Sequence, residues 1–528
     1  MRDLYYIFSN TLKNFLNQYH SNIEPPLWEV PREEKYGDFS TAVALKIASL
    51  SKKDPMKVAS ELKKVLEKEL KRYTEHIEII KPGFVNVFIS HKGLIDSLNK
   101  IIKEKEKFFQ EKRKRRVILE FVSANPTGPL SIAHGRQAVV GDVIGRVLKF
   151  FGNDVYREYY LNDEGRQIKL LVESVRERMK EIKKEDFSLP PDGYHGEYIK
   201  DIAQKALNVK DEKLEAFILS NMVSLIKNEL SQLGVSFDGW FSQKELIKEG
   251  KVDKAISFLR KKRLVYDKDK AVWFLSTKFG DDKDRVLVKS DGELTYFASD
   301  VAYHRDKAQR GFNEMINLWG PDHHGYIKRV KAAVKSFGYD EGMLKVIIIQ
   351  LVTIKTKERM SRRKGTAILL ADLINEVGKD AARFYYLLRR NSSPLEFDID
   401  LAKSISFDNP LYYIQYAHAR IKSIFSKAKI EEFYPRFSQY LETEDLFLIR
   451  HILQFAHCLD KVYYSLEPVF LIEYLKGLSS SFHNFYERER VLSDDRNKTF
   501  ARLNLLEALR IVLNCGLGLL GIPAWNKM

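Results

Sequence analysis

FVSANPTGPLSIAHGR (121–136) has the pattern of a strand that runs into a phosphate-binding turn and then into a helix. The preceding residues VILEFV (117–122) are apolar and β-branched, as in a buried parallel strand. Pro and Gly interrupt regular structure between 125 and 129, and apolar residues recur with helical spacing from 139 to 148. Because a strand, turn and helix start point backbone N–H groups at an anion, the stretch predicts a nucleotide-binding α/β fold.

The composition favours a large globular protein with an anionic partner. A chain of 528 residues is too long for a single core, and 44% hydrophobic with 30% charged residues is ordinary for globular proteins. The net charge of +16 is typical of nucleic-acid-binding proteins, but solubility or a Lys-rich proteome explains it equally well. Both explanations stay open at this point.

Cysteine usage and hydropathy exclude several classes of protein. Cys458 and Cys515 both lie in apolar helical context, so neither a disulfide framework nor a thiolate zinc cluster is expected. The N-terminus MRDLYYIFSN does not resemble a signal peptide, and no uncharged apolar run of about 18 residues occurs. We therefore expect a cytoplasmic protein that does not bind membranes.

Hydrophobic periodicity changes twice along the chain and predicts three domains. Residues 1–110 mix helix and strand patterns, 111–400 alternate strands with helices, and 401–528 show helical spacing only. A Lys-rich stretch at about 166–265 is interpreted as a helical insertion in the α/β domain. The basic run KEKEKFFQEKRKRR (103–116) is either a solvated linker helix or a contact to an RNA backbone.

Two further stretches of the α/β domain carry chemistry. The first is LTYFASDVAYHRDK (294–307) with WGPDHHGY (319–326), and the second is the cation-rich RMSRRKGT (359–366). Together with the turn at 121–136, these stretches occur in this order in a split α/β domain that precedes a helical bundle. This arrangement resembles that of the class I aminoacyl-tRNA synthetases. YGDFSTAVALKIA (36–48), EFVSANPTGPL (120–130) and NPLYYIQYAHARIKSI (409–424) resemble the bacterial-type arginyl-tRNA synthetases more closely.

The resemblance implies a fold and an activity. The expected fold is a multidomain α/β protein with a Rossmann-like parallel-sheet catalytic core, a small α+β N-terminal tRNA-binding domain and an all-α anticodon-binding bundle. The expected reaction attaches L-arginine to tRNA(Arg) through arginyl-adenylate and releases AMP and pyrophosphate. The partners would be arginine, tRNA(Arg) and ATP with Mg²⁺ as the substrate complex, with no fixed protein metal site and a monomeric state. The alternative is a synthetase-like RNA-binding or regulatory protein with weakened catalysis.

Four residues are candidates for binding arginine. A guanidinium group presents five donors in a rigid fork, so a selective pocket needs carboxylates placed for paired hydrogen bonds. Glu120 ends the predicted strand and Asn125 follows in the turn, while Tyr296 and Asp300 are four apart at a helix entry. These positions match those that the family uses for arginine. An edge-strand surface charge at Glu120, or a helix N-terminal charge at Asp300, would be the structural alternative.

The predicted ATP site departs from the family signatures. The first signature, His-x-Gly-His, reads Ser131-Ile132-Ala133-His134, and the second, Lys-Met-Ser-Lys-Ser, reads Arg359-Met360-Ser361-Arg362-Arg363 before Lys364. A methyl group at Ala133 should crowd the adenine, and Ser131 reaches less far than His. The resemblance implies catalytic roles for His134, Ser131, Ser361, Arg362 and Lys364, and ATP contacts from Ser131, His134, Gly135, Asp322, His323, His324 and Met360. A metal site at Asp322–His324 is less favoured, because no third ligand has matching spacing.

Overall fold

The computed structural model describes residues 3–19, 23, 27–355, 368–429 and 432–527. The chain forms two compact units. One contains residues 1–113, 146–152 and 401–528, and the other contains residues 114–145 and 153–400. The first unit therefore combines the two ends of the chain.

The N-terminal part folds into a three-stranded antiparallel sheet of order β1-β3-β2 with four helices. Its elements are α1 (Leu4–Gln18), β1 (Phe39–Thr41), α2 (Val43–Ser51), α3 (Pro55–Leu70), β2 (Thr74–Ile80), β3 (Phe84–Ile89) and α4 (His91–Glu104). Helix α3 begins where Met56 N donates to Asp54 Oδ1 at 2.9 Å and Pro55 occupies the first turn. The predicted mixed α+β character of this part is present.

The second unit is built on a five-stranded sheet of order β11-β10-β4-β5-β6, in which all neighbours are parallel. This order brings the carboxyl ends of β10, β4 and β5 side by side, where open α/β sheets bind ligands. Its elements up to the centre of the unit are β4 (Arg116–Glu120), α5 (Ile132–Phe150), β5 (Asp154–Leu161), α6 (Arg166–Lys183), α7 (Glu197–Ala206), α8 (Asp211–Gln232), β6 (Gly239–Ser242), α9 (Gln243–Lys248) and α10 (Lys251–Lys261).

The remaining elements of the unit complete this sheet and add two smaller ones. They are β7 (Val265–Lys268), β8 (Ala271–Phe274), β9 (Arg285–Val288), α11 (Tyr296–Gln309), β10 (Glu314–Trp319), α12 (Ile327–Ser336), β11 (Leu344–Ile348), β12 (Val352–Lys355), α13 (Leu370–Val377), α14 (Lys379–Tyr386) and β13 (Leu395–Asp398). Strands β7, β8 and β9 form an antiparallel sheet, and β12 pairs with β13 in parallel.

The stretch at about 166–265, predicted as a helical insertion, also contains strands. Helices α6, α7 and α8 surround a separate apolar cluster that includes Leu171, Ile199 and Ile218. Strand β6, however, is one of the two edge strands of the parallel sheet, and β7 begins at Val265. Four residues of sequence GWFS are too short to display a period of two, so the strand β6 could not be recognised.

The described residues of the C-terminal part form helices and connecting loops without a strand, as predicted. It contains α15 (Ile399–Lys403), α16 (Pro410–Ala428), α17 (Thr443–Ser465), α18 (Val469–Arg488) and α19 (Arg496–Leu519). Helix α16 begins where Asn409 Oδ1 accepts hydrogen bonds from Leu411 N at 3.0 Å and Tyr412 N at 3.4 Å. Within the described ranges, no helix has the length and apolar character needed to cross a bilayer. The multidomain α/β fold class is confirmed.

The basic run at 103–116 is partly buried in the first unit. Phe108 and Phe109 are buried, and the Arg113 guanidinium forms an ion pair with Asp460 of α17. The same guanidinium lies 3.9 Å from the ring centre of Tyr463. Arg113 is thus engaged within the protein, a role that neither interpretation of the run anticipated.

Candidate active site

A strained turn follows strand β4 at the edge where the polar side chains collect. Ser123 N donates to Phe121 O at 3.0 Å, which closes a three-residue turn around Val122 with φ of 69°. Left-handed backbone at a β-branched residue costs on the order of 1–3 kcal/mol and is typical of functional sites. The turn places the Ser123 hydroxyl to accept from Tyr160 N at 3.1 Å and to donate to Glu120 Oε1 at 3.3 Å.

Glu120 lies at the carboxyl end of β4 and is buried rather than on an exposed edge. Its Oε2 accepts a short hydrogen bond from the ammonium group of Lys307, whose Nζ also donates to Asn317 Oδ1 at 3.0 Å. A buried carboxylate needs such compensation, because removing an ion from water is costly. The charge of Glu120 is therefore already balanced inside the protein.

Asp300 lies one turn into α11 and receives a hydrogen bond of 2.5 Å from Tyr326 Oη at its Oδ2. Burial raises the pKa of Asp300 to about 7, and the Tyr326 hydrogen bond and Lys307 only partly oppose this shift while Glu120 adds to it. In the part of the chain that the structure describes, no ion pair reaches this carboxylate. Asp300 is thus suited to pair with a cation from outside.

Asn125 and Tyr296 both lie next to the start of α6. Asn125 Nδ2 donates to Gln167 Oε1 at 2.6 Å. Tyr296 is 63% exposed, and its hydroxyl lies 3.8 Å from where a β-carbon of Gly165 would be. The structure thus brings Glu120 close to Asp300, and places Asn125 and Tyr296 next to residues 165–167.

Ser131 and His134 interact at the start of α5. Ser131 N donates to His134 Nδ1 at 3.1 Å, and the Ser131 hydroxyl lies 3.2 Å from the same nitrogen. Because Nδ1 accepts a hydrogen bond, the imidazole proton belongs on Nε2. Burial lowers the pKa of His134, so the ring is neutral at physiological pH and presents an Nε2–H donor.

The turn before α5 pairs with residues 368–370. Ile132 N donates to Ile368 O at 3.1 Å, and Leu370 N donates to Leu130 O at 2.8 Å. In the sequence, residues 368–370 come shortly after the second signature. The candidate residues of the second signature, Met360, Ser361, Arg362 and Lys364, lie outside the described residues.

Gly135 has a packing reason to be glycine. A β-carbon there would lie 2.5 Å from Tyr386 Oη and 2.6 Å from Leu370 Cδ1. Gly135 is buried against α13 and α14, so protein atoms occupy the space that its missing side chain leaves. The ATP contact predicted for this residue would involve its backbone.

Asp322, His323 and His324 lie in an exposed 3-10 helix, Pro321–Tyr326, directly after β10. His323 Nε2 lies 3.4 Å from Asp322 Oδ2, and the His323 ring lies 5.8 Å from that of Trp319. Throughout the described ranges, His, Cys, Asp and Glu nowhere cluster in threes around a potential metal position. The three side chains are accessible to a ligand at this edge of the sheet.

Family models match the chain in three consecutive parts. Residues 3–89 match "Arginyl tRNA synthetase N terminal domain", residues 97–392 match "tRNA synthetases class I (R), catalytic domain", and residues 414–528 match "DALR anticodon binding domain". An arginine–tRNA ligase of Aquifex aeolicus is 40% identical over 98% of both chains. The chain belongs to the arginyl-tRNA synthetase family.

Further relatives and solved structures agree with this assignment. An arginine–tRNA ligase of Citrifermentans bemidjiense is 42% identical over 95% of this chain and 94% of its own. The arginyl-tRNA synthetase of Thermus thermophilus has a TM-score of 0.80 over 99% of each chain at 19% identity, which supports the fold. The predicted family is thus confirmed, and the chain has the catalytic domain of a class I synthetase.

Three side chains of this arginyl-tRNA synthetase family member were not recognised in the sequence as part of the cleft. Lys307 follows Asp300 by seven residues on one face of α11, a spacing that pattern analysis could have found. Tyr326 lies within the quoted stretch 319–326 but carried no role there. Asn317 could not be recognised from the sequence. A single Asn in an apolar strand gains a role only through its neighbours in the folded structure, and these are distant in the sequence.

Proposed function

We propose that the cleft at the carboxyl ends of β4 and β10 binds L-arginine, and that this chain joins arginine to tRNA(Arg) as an arginine–tRNA ligase. Membership of the family and the class I catalytic domain make it an ATP-dependent aminoacyl-tRNA synthetase. The observation that carries the amino-acid site is Asp300, whose partly buried carboxylate has a raised pKa and, among the described residues, the Tyr326 hydroxyl as its one hydrogen-bond donor. Such a group is suited to a substrate guanidinium.

The four candidate residues then have distinct roles. The guanidinium would pair with Asp300, and Glu120 would accept further hydrogen bonds on its lone pairs that Lys307 leaves available. Tyr296 and Asn125, next to the turn at 165–167, would contact the substrate at the rim of the cleft. Because buried donors and acceptors remain unpaired when the guanidinium is missing, this site would reject citrulline and lysine without editing.

The reaction has two steps and needs no enzyme nucleophile. The arginine carboxylate attacks the α-phosphorus of ATP, which forms arginyl-adenylate and expels pyrophosphate. The terminal ribose hydroxyl of the tRNA then attacks the adenylate carbonyl, which forms arginyl-tRNA and releases AMP. Catalysis therefore rests on positioning and on charge stabilisation at the phosphates.

ATP would bind at the start of α5 and the end of β10. His134, held by Ser131 as the Nε2–H tautomer, would donate to a phosphate oxygen. Asp322, His323 and His324 would contact the ribose and adenine, while Ser361, Arg362 and Lys364 would bind the triphosphate. Mg²⁺ would arrive with ATP, since this ion usually binds through nucleotide phosphates and water.

The two ends of the chain would bind the tRNA. Residues 1–110 and 401–528 would bind tRNA, and residues 111–400 would carry out catalysis, in a monomeric cytoplasmic protein. Aromatic and basic residues at the start of α16 suit stacking on unpaired bases. His418 of α16 is excluded from this contact, because it is buried and bonds to Trp525 O at 2.8 Å.

The alternative of a synthetase-like RNA-binding protein without catalysis is not favoured. Relatives named as ligases match the chain over nearly its whole length. Ser131 and Ala133 still depart from the family signature, but Ser131 orients His134 and so retains a use in the ATP turn.

The test is aminoacylation with purified tRNA and each amino acid in turn, together with pyrophosphate exchange with and without tRNA. We expect charging with arginine alone. Charging with another amino acid would refute the assignment of the pocket. Binding of tRNA(Arg) without exchange or charging would instead support the non-catalytic alternative.

A further inference from the structure

Three polar side chains form a row across the sheet below the amino-acid site. Glu120 of β4 is in register with Asn317 of β10 on one side and with Glu158 of β5 on the other. Neighbours in register on parallel strands project from the same face of the sheet. Helix α11 covers this face and contributes Asp300, Tyr303, His304 and Lys307.

Lys307 is fixed on three sides in this layer. Its side chain is 0% exposed, its ammonium bonds to Glu120 and to Asn317, and it lies 4.2 Å from the ring centre of Tyr303. A lysine is expensive to bury, because its charge loses hydration. If Lys307 only filled space in the core, an apolar side chain would do so equally well.

The other titratable groups around Glu120 are accounted for. Glu158 accepts from Arg310 at 2.7 and 2.8 Å and from Tyr303 Oη at 2.7 Å. His304 is neutral, since its Nδ1 bonds to Asp300 O and its Nε2 to Asn317 Nδ2, and burial lowers its pKa to about 3. Tyr160 of β5 bonds to Gln243 at 3.0 Å.

The two carboxylates of the site therefore differ in charge balance. Glu120 is compensated by Lys307, whereas Asp300 has the Tyr326 hydroxyl and, among the described residues, no ion pair. Asp300 and Lys307 lie seven residues apart on one face of α11, so the helix itself fixes the distance between them.

We propose that Lys307 is a positioning residue of the amino-acid site: it pairs with the Glu120 carboxylate and holds it in one orientation, so that Asp300 alone takes the charge of the incoming guanidinium. This inference rests on the proposed function, because it assumes that arginine binds at Glu120 and Asp300. Lys307 itself does not touch the substrate. It acts through Glu120 and leaves the site with one uncompensated negative charge, which matches one guanidinium.

The test is a double-mutant cycle on the Michaelis constant for arginine in tRNA-dependent pyrophosphate exchange. Lys307→Met keeps an unbranched side chain of similar length without the charge. We expect it to raise KM for arginine by about 10- to 100-fold, because a hydrogen bond to a charged group is lost. The KM for ATP should change less than about twofold.

Glu120→Gln should also raise the KM for arginine, and Glu120→Gln with Lys307→Met should be no worse than Glu120→Gln alone. Lys345→Met is the matched control. Lys345 pairs with buried Glu314 at 2.6 Å, at the opposite end of the same sheet. This control should leave the KM for arginine within about twofold of that of the unmodified protein.

Each outcome separates the two hypotheses. If the effects of Lys307→Met and Glu120→Gln multiply, or if Lys307→Met leaves the KM for arginine unchanged, the positioning role is refuted. If Glu120→Gln and Asp300→Asn both leave that KM unchanged, the proposed amino-acid site itself is wrong. If Lys307→Met does not fold, the proposal is tested by comparing Glu120→Gln with the double variant. A higher KM for arginine in the double variant than in Glu120→Gln would refute the proposal.

Discussion

Asp300 illustrates at the scale of one residue how a binding site costs stability. Its carboxyl group lies beside Glu120 and under Tyr326, and burial raises its pKa to about 7. In the free protein the charged form is therefore disfavoured around neutral pH. In the proposed site, a bound guanidinium would supply the missing compensation, so binding of arginine and ionisation of Asp300 would be linked.

Arginine binding should weaken below pH 7. A proton on Asp300 must leave before the always-charged guanidinium can pair with the carboxylate, so KM for arginine should rise towards tenfold per pH unit below 7 and be level above it. Pyrophosphate exchange between pH 5.5 and 8.5 measures this, with the KM for ATP as the internal control. A level arginine profile across that range would contradict the role of Asp300.

The melting temperature of Asp300→Asn tests whether the buried Asp300 carboxylate destabilises the folded protein. The folded-state pKa is raised above the usual 3.8, so the stability contributed by Asp300 decreases as the pH rises towards 7. Asp300→Asn should therefore melt a few degrees higher than the unmodified protein at pH 8, and the difference should vanish near pH 4. A variant that melts lower at pH 8 would argue against a costly buried carboxylate.

Sequence reasoning succeeded for residues whose signal is local. Tyr296 and Asp300 were predicted to lie four residues apart at the entry of a helix, and α11 begins at Tyr296. The partner of Glu120 was not foreseen, because Lys307 reaches it from a helix 187 positions further along the chain. Pairwise contacts of that separation leave no periodic trace in one sequence.

Among the secondary-structure elements, β4 and α5 likewise combine features that the sequence predicts with one that it does not. The strand, turn and helix were all predicted from 117–148, and the structure contains them as β4 and α5. The left-handed conformation at Val122 was not predictable, since a β-branched residue disfavours it. A local hydrogen bond from Ser123 to Glu120 and a tertiary one from Tyr160 to Ser123 hold the turn against this preference.

Gly135→Ala should disturb the proposed ATP-binding turn through packing. The added methyl group would overlap Tyr386 and Leu370, which pushes the start of α5 away from α13 and α14. Overpacking of this kind costs about 1–3 kcal/mol. We expect a lower melting temperature and a higher KM for ATP in pyrophosphate exchange, with a smaller change in the KM for arginine.

Gly145→Ala is the matched control in the same helix. A β-carbon at Gly145 would lie 3.3 Å from Leu119 Cδ2, a contact that a small shift relieves. Alanine also has a higher helix propensity than glycine, by about 1 kcal/mol. Equal rises in the KM for ATP in the two variants would show that Gly135 has no special place beside the nucleotide.

The compact unit that contains both ends of the chain joins residues that are far apart in the sequence. Arg450 donates to both carboxylate oxygens of Asp38, 412 positions away, at 2.7 and 2.9 Å. Ser438 Oγ donates to Asn99 Oδ1 at 2.6 Å. The sequence predicted the two terminal parts as separate domains, since nothing in a single sequence indicates that two distant segments pack together.

Asp460 joins these terminal parts at one point of their contact. Its Oδ2 accepts from Tyr5 Oη of α1 at 2.7 Å, and its Oδ1 accepts from Arg113. Burial raises the pKa of Asp460, and the Arg113 guanidinium opposes that rise. Side-chain exposure is only 10% for Arg113 and 6% for Asp460, so the pair is largely shielded from water.

Arg113→Met should destabilise this unit by about 3–5 kcal/mol, because it leaves a buried carboxylate without its cation. Urea unfolding, with hydrogen exchange in α1 and α17, measures the loss. The double variant Arg113→Met with Asp460→Asn should recover part of this loss, since Tyr5 can still donate to the amide oxygen.

Lys498→Met is the control at an exposed ion pair. It breaks a 2.7 Å pair with Glu442, in which the two side chains are 26% and 52% exposed, and should cost about 1 kcal/mol or less. Equal losses for Arg113→Met and Lys498→Met would mean that apolar packing, such as that of Phe109 on Phe455, and not the Asp460 ion pair holds the two ends together.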